Sequence, residues 1–273
     1  MRFFSALFLF LIAHSALAED VERHAVQLKG ERVQGGLIFG HAPGADSVEL
    51  AGSELMLSAD GHFVFGFGRD ETDSKMLKVR FEDGRMWQQS LAPAQREFNI
   101  ERVDGLDQSR VTPPPEVYQR IRDDAALTRK ARELQAERTD WLDGWIWPAR
   151  GRISGVYGSQ RILNGEPRNP HWGVDIAAPT GTPVLAPAGG LITLAEDDMY
   201  FSGGTLFIDH GHGLVSAFLH LNELLVAVGQ RVEQGDEVAR IGATGRATGP
   251  HLDWRINIGR TRVDPYLLLD SSP

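Results

Sequence analysis

Three short stretches carry the residue types that metal binding and proton transfer need: His171-Trp172-Gly173-Val174-Asp175, Phe218-Leu219-His220-Leu221 and Gly249-Pro250-His251-Leu252-Asp253-Trp254. Imidazoles and carboxylates are zinc ligands and also the usual carriers of protons. The chain has no cysteine, so a metal has to be held by His, Asp and Glu, and neither a disulfide nor a thiol-linked lipid is available. In the first stretch a carboxylate follows an imidazole by four residues. A helix would place the two on one face, but Gly173, the β-branched Val174 and Ile176, and Pro179 disfavour one. On a straight strand their Cα atoms would stand about 13 Å apart. With ligand bonds of about 2.0–2.2 Å, both can reach one ion only if the chain bends at Gly173. His251 and Asp253 are two apart, so on a strand they point the same way, with roots about 7 Å apart. Each motif alone reads more readily as a buried hydrogen-bonded pair than as a metal site. Their occurrence together in one glycine-rich β segment is what singles them out.

The elements that must position these residues follow from composition and periodicity. Residues 1–18 open with Arg2, continue as an apolar run to Ala13 and end in Ser15-Ala16-Leu17-Ala18. This reads as a cleaved export signal, because the run is shorter than the roughly 20 residues that span a bilayer. The expected location is outside the cytoplasm, the periplasm of a Gram-negative cell, with no membrane span once the signal is gone. Residues 19–103 show short β runs broken by turns, among them Phe63-Val64-Phe65-Gly66-Phe67 and the Asp-Gly hairpin signals at Asp60-Gly61 and Asp83-Gly84. About seven strands at this spacing predict a small β-sandwich. Residues 104–145 form a helical connector: after Pro113-Pro114-Pro115, the positions Val117, Ile121, Ala125, Thr128, Ala131 and Leu134 make a narrow apolar stripe in a charged stretch from Glu116 to Arg138. From residue 146 to 273 the chain turns to glycine, proline and short β runs. The fold class is therefore mainly β. A net charge of −9 repels polyanions, which argues against a nucleic-acid partner.

The ordered set His171-x-x-x-Asp175, Phe218-Leu219-His220-Leu221, Val228-Gly229-Gln230-Arg231-Val232-Glu233-Gln234-Gly235 and Gly245-x-x-x-Gly249-Pro250-His251-Leu252 resembles the LytM/lysostaphin-type zinc metallopeptidases, the M23 family. The resemblance covers about residues 146–270. It implies an antiparallel β domain with a groove over its sheet, one zinc ion, and hydrolysis of peptide bonds in bacterial peptidoglycan. It places two metal ligands at His171 and Asp175, and the proton-handling and oxyanion-binding histidines at His251 and His220. Where the family has its third histidine ligand this chain has Asp253. With His171, Asp175 and Asp253 as ligands, a zinc site carries net charge 0 rather than +1, which weakens its pull on a bound water. The alternative is an inactive cell-wall-binding member of the same fold that activates a separate peptidoglycan amidase as its protein partner. A lipoyl-type carrier, suggested by Val228 to Val238, is excluded because no lysine follows Lys130. Asp209-His210-Gly211-His212-Gly213 reads as a turn, Gly242 to Gly249 as the turn into His251, and Arg150, Arg152, Arg161 and Arg168 as exposed loop arginines able to meet peptide carboxylates.

Overall fold

The computed structural model describes residues 26–104, 113–133, 136–269 and 273. The expected export signal, residues 1–18, lies outside them, as does Leu134 of the apolar stripe.

Seven strands build the first unit: β1 (Gln27–Lys29), β2 (Leu37–His41), β3 (Ala45–Leu50), β4 (Ser53–Leu55), β5 (His62–Gly66), β6 (Lys75–Phe81) and β7 (Met86–Leu91). They form two sheets, ordered β1-β2-β5 and β4-β3-β6-β7. The core between them holds Ile38, Val48, Phe63, Phe65, Phe67, Leu77 and Val79. The alternating phenylalanines thus point into the sandwich, as period-two spacing demands. Val64 points the other way and joins the core of the second unit together with Leu37. Both faces of β5 are therefore buried.

β8 (Ile100–Val103) leaves the sandwich and pairs in parallel with β10 (Gln160–Leu163), which also pairs with β11 (Glu166–Pro167). Helix α1 (Tyr118–Ala131) is shorter than the charged stretch predicts. Its last turn tightens as the Arg132 and Glu133 amides bond to the carbonyls of Arg129 and Lys130. Beyond it Arg138 is held by an ion pair with buried Asp209, so the chain from Ala136 follows a tertiary contact instead of the helix.

The second unit is a ten-stranded antiparallel sheet. Its main path runs β17 (Arg231–Val232), β14 (Gly190–Met199), β15 (Gly203–Asp209), β16 (Leu214–Leu224), β19 (His251–Ile258), β12 (Gly173–Ala177) and β9 (Arg152–Gly155). β13 (Pro183–Leu185), β18 (Glu237–Ile241) and β20 (Thr261–Val263) flank it. One face packs Trp254, Phe218, Ile176, Leu206 and Ile256 into the main core. On the other face Leu194, Phe207, Val215, Ala217 and Leu219 cluster with Ala131 at the end of α1. The helix is tied down by Arg120, paired with Asp198, and by Asp124, which accepts a hydrogen bond from the Tyr200 amide. Among the described residues no helix is long and apolar enough to cross a membrane.

Candidate metal centre

β12 and β19 bring the acidic residues together. Their antiparallel register sets Asp175 directly opposite Asp253, an arrangement that is unfavourable for two like charges unless a cation lies between or beside them. Gly155 is opposite Asp175 on the far side, and a Cβ there would lie 2.1 Å from Asp175 Oδ2. Only glycine lets this carboxylate occupy its place. His171 reaches the same point from the loop before β12. The change of direction falls in residues 171–172 rather than at Gly173, which is already in strand register with Arg255. The glycine is needed for another reason: a Cβ there would lie 2.6 Å from Arg255 Cγ and 2.9 Å from Asp253 Oδ1.

His171 Nε2 lies 2.9 Å from Asp175 Oδ1 and 3.6 Å from Asp253 Oδ2. His171 Nε2 and Asp175 Oδ1 are buried, and among the described residues neither makes an aligned hydrogen bond, to the other or to a third group. One ligand atom from each of His171, Asp175 and Asp253 falls within 4.8 Å of the others. Two unpartnered buried donors aimed at a third, with an imidazole and carboxylate set, fit a divalent ion such as zinc. Without an ion, burial pulls the His171 pKa down, but the Asp175 and Asp253 carboxylates outweigh it and raise it to about 10.

His251 is the first residue of β19, with Nε2 3.9 Å from Asp175 Oδ1. His220 arrives by a different device. Leu219 is the residue opposite Asp253, so on a regular strand His220 would face the core. Instead the β15–β16 register slips between Gly204 and Leu206, and His220 adopts φ +66°. An extra residue of this kind re-aims a side chain, and the His220 ring comes to lie 4.8 Å from that of His251, centroid to centroid. A left-handed conformation at a non-glycine residue stores strain of the kind found at functional sites.

The three rings share one pattern. Nδ1–H donates to a backbone carbonyl in each: Val156 at 3.2 Å from His171, Thr244 at 2.8 Å from His220, and Gly249 at 2.8 Å from His251. A carbonyl only accepts, so the neutral rings keep their Nε2 lone pairs for the site. Burial lowers the pKa of His220 and favours that neutral form.

Arg255 is the partner that sequence reasoning missed. Its Nε donates to both oxygens of Asp253, at 2.9 and 3.1 Å, and Nη2 donates to Oδ2 at 2.6 Å. Burial opposes ionisation of Asp253, but Arg255 and then His171 hold its pKa far below the ordinary carboxylate value. The same i, i+2 spacing that couples His251 to Asp253 couples Asp253 to Arg255, and this was the available signal.

The other candidates fall elsewhere. His210 is fully buried, with Nδ1 2.6 Å from the Gly189 carbonyl and Nε2 2.8 Å from Ser216 Oγ; this is the turn, and no ligand. Arg161 pairs with Glu101 and Arg168 with Glu166, while Arg150 and Arg152 are exposed.

Residues 169–265 match the family model described as Peptidase family M23. The chain is 36% identical over 109 residues to the peptidoglycan DD-endopeptidase ShyA of Vibrio cholerae, covering 40% of this chain and 25% of that protein. It is 39% identical over 104 residues to the lipoprotein NlpD/LppB homolog of Pseudomonas aeruginosa, covering 38% of this chain and 33% of that protein. The chain thus spans a quarter to a third of the length of these relatives. A crystal structure from Pseudomonas aeruginosa, described as of the peptidase M23 kind, superposes with a TM-score of 0.64 at 27% identity, over 87% of this chain and 95% of that one. With facing carboxylates, a convergent histidine and the matched segment all on one antiparallel sheet, this part of the chain is an M23 peptidase domain.

Proposed function

We infer that the protein is an exported zinc endopeptidase that cuts peptides of bacterial peptidoglycan, with His171, Asp175 and Asp253 as metal ligands. The observation that carries this reading is the pair of unpartnered buried atoms, His171 Nε2 and Asp175 Oδ1, beside Asp253. A zinc ion bound there would polarise the scissile carbonyl and acidify an attacking water.

The chain's own groups would do the rest. His251 accepts the proton of the attacking water at Nε2, which lies 3.9 Å from Asp175 Oδ1. In its neutral state His220 can only accept at Nε2, because its Nδ1–H is committed to Thr244. It therefore becomes a donor to the developing oxyanion only once protonated, and the adjacent His251 ring is a near source for that proton. Arg255 alters the electrostatics expected from the ligands alone: its positive charge on Asp253 returns the ion and its surroundings to +1. An aspartate paired with arginine thus substitutes, in charge, for a neutral histidine.

The division into export signal, sandwich (19–103), connector (104–145) and peptidase domain (146–273) belongs to the same reading. The second reading, a wall-binding activator without hydrolysis, draws support from the Asp253 substitution and from the similarity to the NlpD/LppB homolog. The two separate when purified full chain is assayed for bound zinc and for soluble products from sacculi. The expected result is one zinc per chain and digestion, with both lost in His171→Ala and Asp253→Ala. Full digestion by either variant would refute the ligand assignment.

A further inference from the structure

Two residues along the strands from the facing carboxylates, another register row crosses the same face of the sheet: Phe207, Ala217, Arg255 and Gly173, on β15, β16, β19 and β12. Three guanidiniums gather over this row. Arg132, just past the end of α1, lies over the Phe207 ring at 4.5 Å. Arg255 stands two strands away from Phe207, about 10 Å by strand spacing, within the reach of two arginine side chains. Arg262 is the β20 partner of Asn257, two residues beyond Arg255 on the same face, and its guanidinium lies over Trp172 at 4.8 Å.

The charges do not balance. Of the three arginines Asp253 engages only Arg255, and among the described residues neither Arg132 nor Arg262 has an ion pair. Arg132 Nε is buried without a hydrogen-bond partner. Burial and the neighbouring arginines lower the pKa values of both Arg132 and Arg262. Arg255 has used Nε and one Nη2 hydrogen on Asp253 and keeps Nη1 free for another acceptor. Close, partly buried cations repel one another and are relieved by an anion held between them. The planar forks suit a carboxylate.

We propose that Arg132, Arg255 and Arg262 form a carboxylate-binding subsite next to the metal centre, which takes a free carboxylate of the substrate peptide. This rests on the reading of the domain as a peptidoglycan peptidase and specifies which substrates it prefers: peptides with an ionised acid group within a few residues of the bond that is cut. Arg132 comes from the connector, so the subsite is complete only when α1 lies against the sheet.

The test is binding to the metal-free full chain in chelator, followed by tryptophan fluorescence. The probes are a synthetic peptidoglycan stem peptide with a free C-terminal carboxylate and the same peptide as its carboxamide. The free acid is expected to bind about tenfold more tightly, the size of a charge-assisted bidentate contact. Arg132→Gln and Arg262→Gln should each remove most of that difference, and Arg262→Lys should keep part of it. Thermal unfolding of each variant checks that the fold is kept. Equal binding of acid and amide, no binding of either, or an undiminished preference in both folded glutamine variants would overturn the subsite. Digestion of sacculi, measured in parallel, keeps the two readings apart: digestion without acid preference removes only the subsite, and acid preference without digestion removes only the hydrolase.

Discussion

Arg255 neutralises one of the two carboxylates that face each other at the metal centre. In Arg255→Met the buried Asp253 loses its one strong cationic partner besides His171 among the described residues, and the metal-free protein should lose about 3 kcal/mol, the usual result of breaking one half of a buried pair. Zinc would then supply the missing positive charge. The melting temperature of the variant should accordingly rise more on zinc addition than that of the wild type, a comparison read directly from thermal scans with chelator and with metal. An equal rise in both would mean that Arg255 does not bear on the metal. The four candidate site residues other than Asp253 stand out in the sequence by their motifs, and Asp253 by its place two residues after His251. Arg255 escaped because an arginine on a strand is most often a solvated side chain, and only the tertiary register shows that its face is the site.

At the scale of elements, strands were the legible part. Alternating phenylalanines, Asp-Gly turns and the Pro-introduced helix all reflect local physics, namely period, turn conformation and breaker residues. The slip in register that turns His220 toward His251 is not local: it depends on the pairing of β15 with β16, and nothing in Phe218-Leu219-His220-Leu221 announces it. The same holds for the parallel β8–β10 pair, whose partners are 60 residues apart in the register Gln160 with Ile100. The junction after α1 offers a test. Gly211 has φ +92°, and a Cβ there would sit 1.7 Å from the Arg138 carbonyl oxygen, whereas Gly229, at φ +88°, has nothing within 4 Å. Gly211→Ala should cost clearly more than the roughly 1 kcal/mol of backbone strain expected for Gly229→Ala, measured by denaturant unfolding of both. Similar losses would show that the Arg138 segment yields freely.

On the scale of the whole molecule, the sandwich and the ten-stranded sheet share interior contacts. Arg69 Nε donates to the Gly158 carbonyl at 2.8 Å, and Arg96 pairs at 2.9 Å with Asp264, which is 4% exposed. Stability should depend on acid through His210, on the turn beside the connector. Burial lowers its pKa from 6.5 to about 4, so between those values the unfolded chain binds the extra proton and stability rises with pH. The native state should lose up to about 3 kcal/mol as pH falls through this window. His210→Gln should flatten that part of the profile in urea titrations at stepped pH, and an unchanged slope would point to other groups. The placement of α1 has one more consequence. By lying against β14, with Arg132 over the Phe207 ring of β15, it closes the face beside the candidate metal ligands on that side. On the reading as a peptidoglycan peptidase, a peptide branch entering over β16, β19 and β12 would meet the end of the helix and stop there.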